Sequence, residues 1–90
     1  TQFTVSSHSP YDHPMEWKIE RGGEERPYLN SANYADKALG DFFNEAKKKP
    51  WFDNTLFVLV ADHSHITPTH WNRSEAKRYK IPFLLYGNAL

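Results

Sequence analysis

The 90-residue sequence predicts an α/β fold, a fragment of a mainly parallel sheet flanked by helices. Three observations lead there. The stretch Thr55 to Ala61, TLFVLVA, is almost continuously apolar, as strands covered on both faces of a parallel sheet are. Between Tyr34 and Ala46, apolar residues recur at spacings of three and four, the period of one helix face. The elements follow the order strand, loop, helix, strand, loop, strand.

Taken in order, Gln2 to Ser7 combines β-branched and aromatic residues in a short extended pattern and is expected to form the first strand. His8-Ser9-Pro10-Tyr11-Asp12-His13-Pro14 ends it, because each proline biases its predecessor away from helix. A long polar loop runs on through Arg21-Gly22-Gly23-Glu24-Glu25-Arg26-Pro27. Ser31 is expected to cap the helix, whose apolar stripe is Tyr34, Ala35, Ala38, Leu39, Phe42, Phe43 and Ala46. Those aromatics are expected to be core. Pro50 is expected to stop the helix, and Lys47-Lys48-Lys49 falls where cations suit the helix dipole. Asp53-Asn54 reads as a turn, Thr55 to Ala61 as the second strand, and Ser74 to Tyr79 as a short helix or turn. Lys80 to Tyr86 is the last strand, with Pro82 placing its start at an edge or bulge.

Composition bounds the function. Aromatics make up 16% of the chain, which argues for a folded protein rather than a disordered one. Lys plus Arg equals Asp plus Glu at eleven each, so nothing favours nucleic acid as a partner. With no cysteine, thiolate zinc sites and disulfides are excluded. The longest apolar run, Leu56 to Ala61, is far shorter than the roughly 20 residues that span a bilayer. The chain has no initiating Met, begins inside one strand pattern and stops soon after another. It therefore reads as a piece of a longer protein.

Ligands of open α/β sheets gather beyond the carboxyl ends of strands. His8 follows the first expected strand, and Asp62-His63 follows the second. Were those strands adjacent and parallel, the three side chains would converge on one rim. A carboxylate and a neutral imidazole suit Mn²⁺ or Zn²⁺, and Mg²⁺ less well. His65 and His70 could complete a local set of Asp62, His63, His65 and His70. From spacing alone, two readings stay open: part of a catalytic metal site, or a small self-contained zinc-binding module built on those four residues. His13 is read as an ordinary loop histidine.

The run Thr55-Leu56-Phe57-Val58-Leu59-Val60-Ala61-Asp62-His63, preceded by Trp51-Phe52-Asp53-Asn54, resembles the late metal-binding segment of the alkaline-phosphatase superfamily. Within that superfamily it is most similar to the sulfatase-like branch that includes lipoteichoic acid synthases and phosphoglycerol or phosphoethanolamine transferases. Thr4 to Tyr11 is similar to that family's strand ending in a histidine, and Tyr34-Ala35-Asp36 opens a helix resembling its own. Tyr79 to Gly87 resembles the strand that follows the metal ligands. Four loose motifs in one order span nearly the whole chain.

The resemblance implies an alkaline-phosphatase-like fold in which residues 1–90 are the C-terminal portion of a catalytic domain. Asp62 and His63 would coordinate a divalent cation, with Mn, Mg, Zn and Ca all open, and His8 would bind the substrate's sulfate or phosphate oxygens. His65 and His70 would be reserve substrate or metal contacts. The catalytic nucleophile, a Thr, Ser or modified Cys, would lie upstream, so this piece alone is expected to be inactive. The reaction would be attack by that hydroxyl on sulfur or phosphorus, a covalent intermediate, and transfer to water or an acceptor alcohol, with the cation as Lewis acid. Membrane anchoring and an extracytoplasmic location would come only through the rest of the parent protein. One departure stands out: the family usually has Gly after the Asp-His pair, and here Ser64 follows, at some cost if the backbone there is left-handed.

Overall fold

A computed structural model describes residues 1–65 and 75–90. They form two compact units, Thr1–Lys47 and Lys48–Leu90.

In the first unit, helix α1 spans Arg26–Ala46. It starts five residues before Ser31, which is therefore not its cap. Gly22 and Gly23, both at positive φ, turn the chain into a 3-10 turn over Gly23–Glu25. Glu24 and Glu25 lie in that turn, just ahead of the positive end of the helix dipole, and Pro27 sits in the first turn, where no N–H is needed. Together these features outweigh the capping preference of Ser31. Its hydroxyl instead donates back to the Tyr28 carbonyl at 2.8 Å, inside the helix. The helix ends at Ala46, short of Pro50, with the Lys47 N–H donating to the Phe43 carbonyl and the three lysines following. On the polar face, Lys37 and Asp41 pair at 2.6 Å. That hydrogen bond, and then the charge, holds the ammonium above its ordinary pKa.

The apolar stripe is core only in part. Ala46 is buried and Tyr34, Ala35 and Phe43 are half-buried, but Leu39 and Phe42 are exposed. The tightest packing in this unit is polar. Asn30 is fully buried: its Oδ1 accepts from the backbone N–H groups of Lys18 and Ile19, both at 2.9 Å. Its Nδ2 donates to the carbonyls of Ile19 at 2.8 Å and Arg26 at 3.0 Å. The loop is thereby fastened to the helix, and Arg26 adds a bond from Nε to the Ile19 carbonyl beneath the Trp17 ring.

Gln2 to Ser7 is not a strand. Phe3 and Val5 are 82% and 79% exposed, and the segment finds no pairing partner among the described residues. Strand propensity without a neighbour to complete the ladder does not make a strand.

In the second unit, β1 (Phe57–Val60) pairs with β2 (Phe83–Tyr86). The pairing is antiparallel, in register Phe57↔Tyr86, Val58↔Leu85, Leu59↔Leu84 and Val60↔Phe83. The expectation of parallel strands is corrected for this pair. A continuous apolar run says that both faces are apolar and nothing about direction. The last strand starts at Phe83, three residues later than the expected Lys80, since Pro82 has no N–H to give the ladder; its carbonyl accepts from Ala61 N–H at 3.3 Å, extending the ladder by one bond. One face of the ribbon is covered in part: Phe52, buried in the turn Phe52–Asn54, packs on Phe57 and Tyr86 with ring centroids at 5.7 and 6.4 Å, while Leu84 on the same face stays exposed. Val58 and Val60, on the other face with Leu85 and Phe83, are exposed. Gly87, at φ 140°, follows β2 with its α-carbon against Thr55, where a Cβ would stand 2.5 Å from the carbonyl oxygen.

Candidate active-site residues

Two residues past the end of β1, the chain leaves the ladder at Asp62 and His63, 85% and 77% exposed. Asp62 Oδ1 accepts the His63 backbone N–H at 2.9 Å, which fixes the carboxylate against the turn and leaves Oδ2 outward. His63 Nδ1 lies 2.8 Å from the Ser64 carbonyl. A carbonyl can only accept, so Nδ1 carries the proton, and in the neutral ring Nε2 presents a lone pair. That is the tautomer a metal-ligating histidine adopts when its second nitrogen donates to backbone.

Oδ2 and Nε2 stand 3.7 Å apart. Two donors each about 2.1 Å from one ion are separated by roughly 3 to 4.2 Å, so this donor pair fits a divalent cation. It supplies two ligands. Among the described residues no group of three or more His, Cys, Asp or Glu could hold a metal. His65 is half-buried and already engaged. His70 lies outside the described residues, as does Ser74.

In the first unit, His8 repeats the local arrangement of His63. Its Nδ1 donates to the carbonyl of the next residue, Ser9, at 2.7 Å, and Nε2 is left outward on an exposed ring. Two consecutive turns hold it: His8 N–H donates to the Val5 carbonyl at 3.0 Å, and Tyr11 N–H to the His8 carbonyl at 2.8 Å. In neutral form Nε2 can accept or ligate; it can donate to an anionic oxygen only as imidazolium. His13, read as an ordinary loop residue, stacks on Tyr34 at 5.3 Å, and neither buried ring nitrogen has a hydrogen-bond partner among the described residues.

Ser64 does not have a left-handed backbone; Tyr11 is the one non-glycine at positive φ among the described residues. Its place after the Asp-His pair therefore carries no such cost. The sequence did not point to its hydroxyl, which donates to the Arg78 carbonyl. It did not point to Asn30 either, although an Asn inside an amphipathic helix pattern, where it is a poor helix former, was the available signal.

Over 94% of its length the chain superposes on the crystal structure of a protein in the alkaline phosphatase superfamily from Vibrio parahaemolyticus, with a TM-score of 0.74 and 37% identity. The match covers 21% of that protein. Within that superfamily, residues 2–90 match the sulfatase family, and the chain belongs to it. Lipoteichoic acid synthase of Staphylococcus aureus, in strains USA300 and NCTC 8325 among others, is 38% identical over 48 residues. That stretch is 53% of this chain and 7% of the synthase. The chain thus spans a small part of the length of the proteins it matches. The resemblance read from four loose motifs is borne out. The family comprises hydrolases and transferases, acts on esters and typically uses divalent metals. Among the described residues no helix is long and apolar enough to cross a membrane.

Proposed function

We propose that residues 1–90 are the C-terminal part of the catalytic domain of a metal-dependent sulfatase or phosphoglycerol/phosphoethanolamine-transferase-like enzyme, cleaving or transferring sulfate or phosphate esters. The observation that carries this reading is the pair of outward donors, Asp62 Oδ2 and His63 Nε2, held 3.7 Å apart just past the end of β1. A carboxylate and an imidazole favour Mn²⁺ or Zn²⁺ over Mg²⁺ or Ca²⁺, which prefer oxygen. When bound, such a cation supplies Lewis acidity toward the ester and the attacking hydroxyl. Asp62 contributes negative charge to hold it, and His63 contributes a lone pair in a fixed tautomer.

His8, with Nδ1 held by the Ser9 carbonyl, would bind the ester's sulfate or phosphate oxygens. The nucleophile and the remaining acidic ligands would come from other parts of the catalytic domain, and the 90-residue piece alone is expected to show no turnover. Membrane attachment and an extracytoplasmic site of action are properties of the rest of the parent protein. The similarity to lipoteichoic acid synthase supports a phosphoglycerol-type substrate, but its 48 residues do not separate phosphate from sulfate.

The test is turnover by the complete enzyme on an aryl sulfate and on a phosphodiester, with Asp62→Ala and His63→Ala beside the wild type. Removing an outer partner of a metal ligand typically costs about 10- to 100-fold, so loss of a ligand itself should exceed about 100-fold. Undiminished activity in Asp62→Ala would remove the metal role.

A further inference from the structure

An exposed imidazole has two free torsions, and a metal site gains from having them fixed in advance. The bond that fixes His63 is from Nδ1 to the Ser64 carbonyl. Ser64 belongs to neither strand nor helix, so that carbonyl can orient the ring only if something holds it in turn. The Ser64 hydroxyl supplies the hold. It is half-buried and donates to the carbonyl of Arg78, fourteen residues on. Arg78 lies in the 3-10 turn Ala76–Tyr79, where its own N–H donates to the Glu75 carbonyl at 3.0 Å. The chain of bonds runs from the Ser64 hydroxyl to Arg78, and from His63 Nδ1 to Ser64. It leaves Nε2 as the one ring nitrogen for a ligand.

We infer that Ser64 is a positioning residue for the cation site: its hydroxyl, through the Arg78 carbonyl, locks the peptide that sets the tautomer and direction of His63. This rests on the reading of Asp62 and His63 as metal ligands and goes beyond it, because it assigns a role to a side chain that contacts no ion. The site then depends on the segment after the 66–74 stretch as well as on β1. A glycine at position 64 could keep the His63 bond but not the anchor.

The test is Mn²⁺ titration of the complete enzyme, with affinity followed by EPR and the imidazole ¹⁴N coupling read by pulsed EPR; His63→Ala assigns that coupling. Ser64→Ala is expected to weaken Mn²⁺ binding about tenfold or more and to reduce or disperse the ¹⁴N coupling, whereas Ser64→Thr, which keeps the hydroxyl, stays within about threefold of wild type. A merely structural hydroxyl would lower thermal stability and leave the ¹⁴N coupling of the folded fraction unchanged. Wild-type affinity and coupling in Ser64→Ala overturn the inference. Should that variant not fold, Ser64→Cys, similar in shape and a far weaker donor, decides by the same two readings. Failure of the underlying reading looks different: Asp62→Ala would bind Mn²⁺ as the wild type does.

Discussion

Asn30 is fully buried and uses all its hydrogen-bonding capacity on four backbone groups, whereas Val58, Val60, Phe83 and Leu85, one face of the β1–β2 ribbon, are apolar and exposed. The two regions are opposites. Around Asn30 the chain meets its own needs: a loop with no ladder of its own has its N–H and C=O groups paired by one amide. The β1–β2 ribbon pairs its strands along one edge each but leaves one apolar face uncovered, with Phe52 and its neighbours closing only part of the other. A continuous apolar strand is the sequence of an element covered on both sides. The difference teaches that the Trp17–Ser31 region is locally complete, while the ribbon is built to receive further structure. This agrees with a chain that covers 21% of its structural relative.

The comparison breaks most sharply at Val58. In the complete enzyme, Val58→Lys is expected to cost about 3–5 kcal/mol by denaturant unfolding, the cost of an uncompensated buried charge. A change within about 0.5 kcal/mol would mean that the face stays open to water. At the other pole, Asn30→Ala strands the N–H groups of Lys18 and Ile19, while the Ile19 carbonyl keeps its bond from Arg26 Nε, and should cost roughly 2–4 kcal/mol, at about 1–2 kcal/mol per stranded group. Protease cleavage in the 14–22 loop should rise with it. Gly87→Ala should cost about 1–3 kcal/mol, since both its left-handed φ and the nearby Thr55 carbonyl oppose a Cβ. A smaller loss would show that the turn after β2 shifts freely.

How much of this was legible in the sequence follows from the range of each signal. The helix stripe, β1, β2 and the Asp62-His63 step at a strand end are local patterns, and each was read in place. Signals that depend on a partner failed. Gln2 to Ser7 has strand composition but no ladder, and the β1 pattern could not reveal the direction of its neighbour. Ser31 looked like a cap because capping is common for serine, while the Gly22-Gly23 turn, Glu24, Glu25 and Pro27 fixed the true start five residues earlier. In the candidate site, the sequence put Asp62 and His63 forward as a pair at a strand end, and their side chains lie 3.7 Å apart there. It could not reach the bond between Ser64 and Arg78, which joins residues fourteen apart in the sequence.

The central claim is that Asp62 and His63 hold one divalent cation. The most direct measurement is anomalous diffraction from crystals of the complete enzyme soaked in Mn²⁺. A peak is expected within about 2.3 Å of both Asp62 Oδ2 and His63 Nε2, with His63 Nδ1 still on the Ser64 carbonyl. A metal peak bound elsewhere, with these two side chains free of it, would contradict the account.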